Sequence, residues 1–223
     1  MARGSRGSAA SRSKSRPDET VGRDKVLRTA LQLFMRHGYV GTSMRAIADE
    51  LGISAAALYW YFPSKEEIFA SVLEMSLADF WSAVKNALTE DDPVRRLGQL
   101  VRAHVSWQLG QSDVARTFAV NVGMRQLLGE LPGERAGEII RLEREYLSEL
   151  RGILAEGKRR GQFSFADVKV TAFAVTTMCE YVHTWFNPGG EMGIEDVAAQ
   201  YEKLVLAMVG VGVNTGRRGG PGA

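Results

Sequence analysis

The 223-residue chain has only one cysteine, Cys179. A single cysteine excludes an intramolecular disulfide and a cysteine-rich zinc site, and it suits a reducing compartment such as the cytoplasm. Long hydrophobic runs are also lacking. The longest, from Leu204 to Val213, is about half of what a membrane span requires and is interrupted by two glycines. The sequence therefore argues against a disulfide-stabilised secreted protein and predicts no membrane span.

The chain has little net charge, since 28 Lys and Arg oppose 26 Asp and Glu, but the charge is unevenly distributed. Residues 1–65 hold eleven basic and five acidic side chains, whereas residues 66–216 hold fifteen basic and twenty-one acidic ones. A basic first third joined to an acidic remainder indicates a polyanion-binding module attached to another domain. A solubilising basic tail is the alternative. The basic N-terminus has no apolar stretch behind it, so we expect no signal peptide.

The two ends of the chain have too few apolar side chains to pack into a core. Residues 1–20 are rich in Ser, Arg and Gly, and residues 214–223 are rich in Gly, so we predict a disordered basic arm and a flexible tail. Between them, apolar residues recur at helical spacing, with no alternating strand pattern of useful length. Beyond residue 63, one long helix is predicted to start at a capping box on Ser64. Further helices are predicted over about 93–110, 118–128, 133–160, 167–186 and 194–209.

Two shorter helices joined by a tight turn precede these, after a first helix that ends at Gly38. Thr42 or Ser43 can cap the first of the pair, Gly52 ends it, and Ser54 caps the second. This pattern describes a helix-turn-helix, whose second helix is short enough to enter a DNA major groove. Helix pairs of this kind also occur as plain packing units, so the spacing alone leaves both interpretations open.

The residues of this segment favour DNA binding over plain packing. The segment resembles the N-terminal DNA-binding domain of the TetR family of bacterial transcriptional regulators and keeps the spacing of that domain without a gap. The matching residues are Gly38-Tyr39, Thr42 to Ala48, Leu51 to Ser54 and Leu58 to Glu66. The resemblance implies an all-α homodimer that binds an inverted-repeat operator in double-stranded DNA as a repressor, with activator action as the alternative. It also implies a larger helical domain that dimerises and binds a small-molecule effector. It implies no cofactor, metal or catalytic residue.

The implied domains are an arm at 1–20, a three-helix helix-turn-helix domain at 21–67, an effector-binding and dimerisation domain at 68–213 and a tail at 214–223. Carried over by position, the resemblance assigns three groups of DNA-contacting residues. The expected phosphate contacts are Ser54, Tyr59, Trp60 and Lys65. The expected contacts at the start of the backbone-straddling helix are Thr42 and Ser43. The positions within reach of bases are Arg45, Ala55, Ala56 and Tyr61.

The second helix of the pair departs from many DNA-reading helices because it contains no Arg, Lys, Asn or Gln. Hydrogen bonds to base edges therefore fall to Arg45 and to the hydroxyls of Tyr59 and Tyr61, with alanines facing thymine methyl groups. Arg45 contacting only a phosphate is the alternative. Trp60 stands where the family commonly has His, and Ala56 where it often has Gly.

The effector site is predicted from polar residues that lie among apolar neighbours. The dimer interface is predicted from the last two helices, which commonly form it in the TetR family. An effector cavity needs apolar walls and a few convergent polar groups. The candidates are His104, Trp107, Gln108, Asn121, Met124, Arg125, Tyr146, Thr177, Glu180, Tyr181 and His183. The dimer interface is expected from Val197, Tyr201, Leu204, Val205 and Met208. Packing within one subunit is the alternative for both sets.

Two segments near the end bear on the effector. Residues 156–163 and 185–190 resemble a TetR subgroup that controls fatty-acid, steroid or aromatic-acid degradation and responds to acyl-CoA thioesters. Members often carry Arg where Asn187 stands, while Lys158, Arg159 and Arg160 offer other phosphate partners. A hydrophobic drug or secondary metabolite is the alternative effector. An enzyme that uses the helical cavity and a DNA binder without an effector are the alternative classes.

Overall fold

The computed structural model describes residues 22–110 and 133–211, with side chains from residue 136 in the second range. Every helix or strand assigned in these ranges is helical, which confirms the predicted all-α fold. No helix there is both long and apolar enough to cross a membrane. The α-helices are α1 (Arg23–Gly41), α2 (Met44–Leu51), α3 (Ala55–Tyr61), α4 (Lys65–Ala87), α5 (Pro93–Gly110), α6 (Gly133–Arg159), α7 (Val168–Glu180) and α8 (Ile194–Met208).

The turn between α2 and α3 forms as the capping residues predict. Ser43 Oγ accepts a hydrogen bond from the Ala46 amide, and Ser54 Oγ accepts one from the Ala57 amide, both at 3.1 Å. Gly52 ends α2 with a φ of 70°, a left-handed conformation that a side chain would strain. Two serine caps and one glycine therefore fix the angle between the two helices.

α1 to α4 surround a first hydrophobic core. Val26, Ala30 and Phe34 lie on one face of α1 at a spacing of four residues and are fully buried. Ile47 of α2 and Leu58 of α3 are buried against them. This core holds the helix-turn-helix rigid and leaves its opposite face exposed to solvent.

A second core lies between the end of α4 and helices α5 to α8. Trp81, Leu100 and Val205 are among its buried members. α5 and α8 approach closely at Gly98, where an added Cβ would lie 2.5 Å from Glu202 Oε1. A side chain at this position would displace the Glu202 carboxylate, which pairs with Arg102 at 3.2 Å.

Two helices connect the cores. α4 contributes Ile68 and Leu73 to the first core and Trp81 to the second, so the expected domain boundary at residue 67 lies at the start of a shared helix. α6 begins beside the helix-turn-helix domain, because its Ile139 is fully buried in the first core. A displacement within the second domain can therefore move the first domain through α4 or through α6.

The helix predicted over 167–186 differs most in extent. α7 ends at Glu180 and the chain continues as a short 3-10 helix, Tyr181–Thr184, so a single helix to residue 186 was wrong. His183 Nδ1 lies 2.7 Å from the Glu180 carbonyl oxygen, and the Thr184 hydroxyl donates to the Tyr181 carbonyl at 2.7 Å. Such local side-chain bonds to the backbone compete with α-helical ones.

Other helix ends follow the prediction. Gly38 interrupts α1 with a φ of 72°, although helical turns continue to Gly41. Gly161, also at 72°, follows the end of α6. Ser64 Oγ accepts from the Glu67 amide at 3.3 Å, which is the serine half of the expected capping box. The helix predicted over 118–128 lies outside the described residues.

Candidate DNA-binding surface and effector site

The exposed face of the helix-turn-helix carries most of the predicted DNA-contacting side chains. The Arg45 side chain is 86% exposed and lies 3.9 Å from Asp49, an ion pair too open to hold it. On α3, Tyr59 and Trp60 are 53% and 71% exposed although both are large and partly apolar. Large exposed aromatic side chains indicate a contact surface. Ser43, Ser54, Ala55 and Ala56 are exposed beside them, and Tyr61 is half-buried.

Lys65 and Thr42 differ from these exposed residues, because their polar atoms form hydrogen bonds within the domain. Lys65 Nζ donates to the carbonyl oxygens of Tyr39 at 2.8 Å and Thr42 at 2.9 Å, and it lies 4.1 Å from the centre of the Tyr39 ring. Thr42 is 2% exposed and its hydroxyl donates to the carbonyls of Leu33 and Gly38. Both side chains therefore stabilise the junction of α1, α2 and α4.

Arg23 is a structural contact that the sequence reasoning missed. Its guanidinium lies 4.2 Å from the centre of the Phe62 ring and donates to the Tyr61 carbonyl and the Ser71 hydroxyl, each at 3.4 Å. These contacts fix the first turn of α1 against the end of α3. A single arginine at a helix start gives no sequence signal for such a role, because the partners are 38 and 48 residues away.

Three predicted effector residues meet in the second domain around Phe80 of α4. The centre of the Phe80 ring lies 4.8 Å from that of His104, 5.2 Å from Trp107 and 5.1 Å from Tyr146. His104 Nδ1 is 2.7 Å from the Tyr146 hydroxyl oxygen, and both residues are buried. We call these four side chains the aromatic cluster. Phe80 was not predicted for this site, since its pairing with α5 and α6 is a long-range contact.

The electrostatics of the aromatic cluster are those of a dry site. Burial lowers the pKa of His104 to about 3, so its imidazole is neutral near pH 7. Burial, followed by the nearby Cys179 and Glu180, raises the pKa of the Tyr146 phenol well above its ordinary value. Both pKa shifts favour uncharged side chains in the cluster.

Glu180 lies at the edge of this site. Burial and then the neighbouring Glu143 carboxylate raise the pKa of Glu180 to about 7, although part of its side chain reaches the surface. Gln108, one helical turn after His104, is half-buried and also predicted for the effector site. Its Oε1 and the Nε2 of His104 are buried and make no hydrogen bond in the described ranges.

The other predicted effector residues lie apart from the aromatic cluster or outside the description. Thr177 and Tyr181 are exposed on α7 and the 3-10 helix, and buried His183 is engaged with the Glu180 carbonyl. Asn121, Met124 and Arg125 lie outside the described residues. A separate surface depression is lined by Trp81, Lys85, Glu145, Ser148, Glu149 and Gly152.

The residues predicted for dimerisation divide between the core and the surface. Val197 and Val205 are buried inside the subunit, which leaves them no surface to offer a partner. Leu204 is 55% exposed and Met208 38% exposed on another face of α8. Tyr201 is half-buried, and its hydroxyl accepts a hydrogen bond from Trp185 Nε1 at 3.1 Å. Further exposed apolar side chains near the end of the chain are Val170, Phe173, Tyr181, Trp185 and Met192.

Comparisons with known proteins match both domains. Residues 26–72 match the model for bacterial regulatory proteins of the tetR family, and residues 90–209 match that of the tetracyclin repressor-like C-terminal domain. The chain belongs to the TetR family. As a TetR-type transcriptional repressor it is a DNA-binding regulator and not an enzyme.

Relatives of this TetR-family chain agree over most of its length. The transcriptional repressor KstR2 of Rhodococcus jostii is 27% identical over 85% of this chain and 93% of its own. The TetR-family regulator PfmR of Thermus thermophilus is 34% identical, with a TM-score of 0.71 over 82% of this chain and 98% of its own. The structure of AibR with isovaleryl coenzyme A and operator DNA is similar in fold, at 22% identity and a TM-score of 0.71 over 84% and 97% of the two chains.

Proposed function

We propose that this TetR-family protein is a homodimeric cytoplasmic repressor that binds an inverted-repeat operator and is released by a small-molecule effector. The observation that carries the proposal is the shared helix α4. It begins against the exposed helix-turn-helix and ends in the aromatic cluster, so an effector there would contact the helix that positions the DNA-binding surface. Effector binding acts by differential affinity for two arrangements of the dimer.

The proposed DNA interface is the exposed set on α2 and α3. Arg45 and the tyrosine hydroxyls of Tyr59 and Tyr61 reach base edges, while Trp60 donates its indole N–H to a phosphate. The serine-capped helix starts add backbone amides, and Ala55 and Ala56 allow close approach. Thr42 and Lys65 support this surface from behind through their hydrogen bonds to α1.

The proposed dimer interface is the exposed apolar face of α7 and α8. Leu204 and Met208 on α8 and Val170 and Phe173 on α7 are large apolar side chains that stay exposed in the subunit, and a dimer contact would cover them. A two-fold dimer would place the same patch of both subunits in contact. Such a dimer would present two helix-turn-helix domains to the two halves of an inverted repeat.

Two effector classes compete. The resemblance to acyl-CoA-responsive regulators and the isovaleryl coenzyme A bound to AibR favour a thioester. The bases offered for its phosphates have other partners, although the two arginine pairs are exposed and weak: Lys158 donates to the Ala166 carbonyl at 2.8 Å, and Arg159 and Arg160 both pair with Glu156. Asn187 also stands where Arg is frequent. These contacts favour the second candidate, a hydrophobic drug or secondary metabolite.

DNA recognition is tested by selecting bound duplexes from a random DNA pool with the full chain. We expect an inverted repeat, and we expect Arg45→Ala to lose about 1–3 kcal/mol of preference at one base pair in each half-site. Arg95→Ala is the control, because Arg95 is an exposed arginine of α5 in the second domain, where it pairs with Glu90 at 3.6 Å. Equal weakening by Arg45→Ala on all sequences would reduce its role to a phosphate contact.

The effector class is tested by thermal stabilisation with acyl-CoAs of different chain length, with free CoA and the free acids as controls. A ligand at 100 times its dissociation constant adds about 2.7 kcal/mol of stability. Stabilisation by thioesters alone, dependent on chain length, would support a regulator of lipid catabolism. No shift with any thioester would leave the DNA-binding proposal intact and direct the search to drugs and secondary metabolites.

A further inference from the structure

Helix α5 presents two buried polar atoms that have no hydrogen-bond partner within the described part of the chain, His104 Nε2 and Gln108 Oε1. Residues four apart on a helix lie one turn apart on the same face, so the two atoms belong to one patch. Buried polar groups are nearly always paired with protein, water or ligand. The patch therefore indicates an occupant that forms hydrogen bonds.

The imidazole of His104 is held in place by its neighbours, so it cannot rotate to bring Nε2 to another hydrogen-bond partner. Nδ1 is engaged at 2.7 Å by the Tyr146 hydroxyl, and the two rings meet edge to face at 5.3 Å. Phe80 packs against the same imidazole at 4.8 Å. Nε2 is thus fixed in direction by its neighbours, as expected of a binding group that is arranged before its ligand arrives.

The surroundings of the patch are apolar rings. Phe80 and Trp107 meet at 5.2 Å, and both are only partly buried, so the aromatic cluster extends toward the surface of the described part of the subunit. Aromatic side chains favour stacked or edge-to-face contact with another ring. A ring-bearing ligand that approaches Phe80 and Trp107 therefore suits this cluster better than a strongly hydrated one.

The charges near the patch disfavour an anion. Burial keeps His104 neutral, so it offers a hydrogen bond without a positive charge. The ionisable groups that influence Tyr146 and Glu180 are the Cys179 thiol and the carboxyls of Glu180 and Glu143, all of which are neutral or negative. A carboxylate placed here would lose its hydration without gaining an opposite charge from these described groups.

We propose that His104 and Gln108 bind the neutral hydroxyl or carbonyl group of an effector whose apolar ring packs against Phe80 and Trp107. This inference rests on the proposed function, since it names the chemical class that the effector site accepts. The carbonyl belongs either to a free ring compound or to the thioester of a ring acid. Both sources present the same carbonyl group to His104 and Gln108, and the probes of the test distinguish them.

The test uses the full chain and five probes with one ring system: naphthalene, 2-naphthol, methyl 2-naphthoate, 2-naphthoate and 2-naphthoyl-CoA. Binding is measured by calorimetry at pH 7.5. We expect 2-naphthol and the methyl ester to bind about tenfold more tightly than naphthalene or the naphthoate anion, the gain from a hydrogen bond in a dry site. Tighter binding of 2-naphthoyl-CoA than of the methyl ester would identify the thioester as the source.

Two variants test the named side chains, His104→Phe and Gln108→Met, with His37→Phe as an exposed control on α1. Each of the first two should abolish the advantage of the neutral polar probes over naphthalene, and the control should not. Gln108→Met decides the matter if His104→Phe does not fold. Unchanged probe affinities would mean that only water satisfies the two atoms. Equal binding of 2-naphthoate, or no binding of any probe up to its solubility limit, would also overturn the inference.

The same preparations are assayed for operator binding without any probe. Retained operator binding together with failed probe binding would reject this effector chemistry and leave the repressor proposal standing. Loss of operator binding by the wild-type chain would instead reject the proposed function itself. The two failures are therefore distinguished within one experiment.

Discussion

Lys65 illustrates at the scale of one residue how a basic side chain in the helix-turn-helix domain can stabilise the fold. Its ammonium group donates to two carbonyls at the end of α1 and the start of α2, and it lies against the Tyr39 ring. Arg45, twenty positions earlier, has a mostly exposed side chain with one open ion pair. The same charge therefore has different energetic roles at the two positions.

We expect Lys65→Met to lower the free energy of unfolding by about 1.5–3 kcal/mol, because two hydrogen bonds from a charged donor are lost. Arg45→Met is the matched control and should change stability by less than about 0.5 kcal/mol. Urea unfolding followed by circular dichroism measures both. Equal and small effects would place the Lys65 ammonium outside the domain, where it would be free for phosphate contact.

The roles of individual polar residues were predictable only where the partner is close in sequence. Ser43 and Ser54 cap their helices as expected, because the accepting oxygen and the donating amide are three residues apart. The engagement of Lys65 with Tyr39, 26 residues away, required the tertiary structure. The same reason explains why Phe80 was not assigned to the effector site before its contact with His104 was known.

At the scale of an element, the end of α6 shows a close packing contact that depends on a glycine. After Gly161 turns the chain, the amide of Phe163 donates to the Gly157 carbonyl at 3.1 Å, and the Phe163 ring covers Gly157. A Cβ at Gly157 would overlap that ring, whereas a Cβ at Gly152 on the same helix would meet nothing within 4 Å.

We expect Gly157→Ala to destabilise the protein by about 1–3 kcal/mol, since the ring must be displaced from a filled core. Gly152→Ala, the control, should stabilise it by about 0.4–1 kcal/mol through helix propensity and chain entropy. The urea midpoints of the two variants give the comparison. Stabilisation by both would show that Phe163 relocates without cost.

Helix starts were more predictable than helix continuations. Pro93, Ser64 and Asp167 mark their helix starts because caps are local. α7, in contrast, ends six residues before the predicted end, where His183 and Thr184 bond to nearby carbonyls. Apolar periodicity does not detect this change, since a 3-10 turn continues the same buried face over a few residues.

At the scale of the whole molecule, Ile139 connects the domains. It belongs to α6, whose remainder lies in the second core, yet it is fully buried in the first. Ile153, on the same helix, is buried in the second core. The pair allows the contribution of α6 to the DNA-binding domain to be separated from its contribution to overall stability.

We expect Ile139→Val and Ile153→Val each to cost about 0.5–1.5 kcal/mol of stability. Only Ile139→Val should also speed hydrogen exchange selectively in α1 to α3, because it loosens the first core locally. Exchange followed by mass spectrometry resolves the helices. Equal exchange profiles of the two variants would leave α4 as the connection that carries the proposed switch.

The proposed dimer interface includes only part of the set that sequence periodicity predicts. Val197 and Val205 share the apolar pattern of α8 with Leu204 and Met208, but the structure divides these residues between the core and the exterior. A 3.6-residue repeat identifies an apolar helix without saying which neighbour covers each side of it. The exposed members are therefore the ones to alter.

We expect Leu204→Glu to weaken the proposed dimer by about 3 kcal/mol, roughly 100-fold in its dissociation constant, because an unpaired carboxylate would be buried at the contact. Sedimentation velocity measures the dissociation. Ser82→Glu, an exposed position on α4, is the control for added charge and should remain dimeric. Operator affinity should fall together with dimerisation, since one helix-turn-helix domain reads only one half-site. A Leu204→Glu protein that stays dimeric would place the interface on another face, and the exposed apolar residues of α7 and α8 would then need another partner.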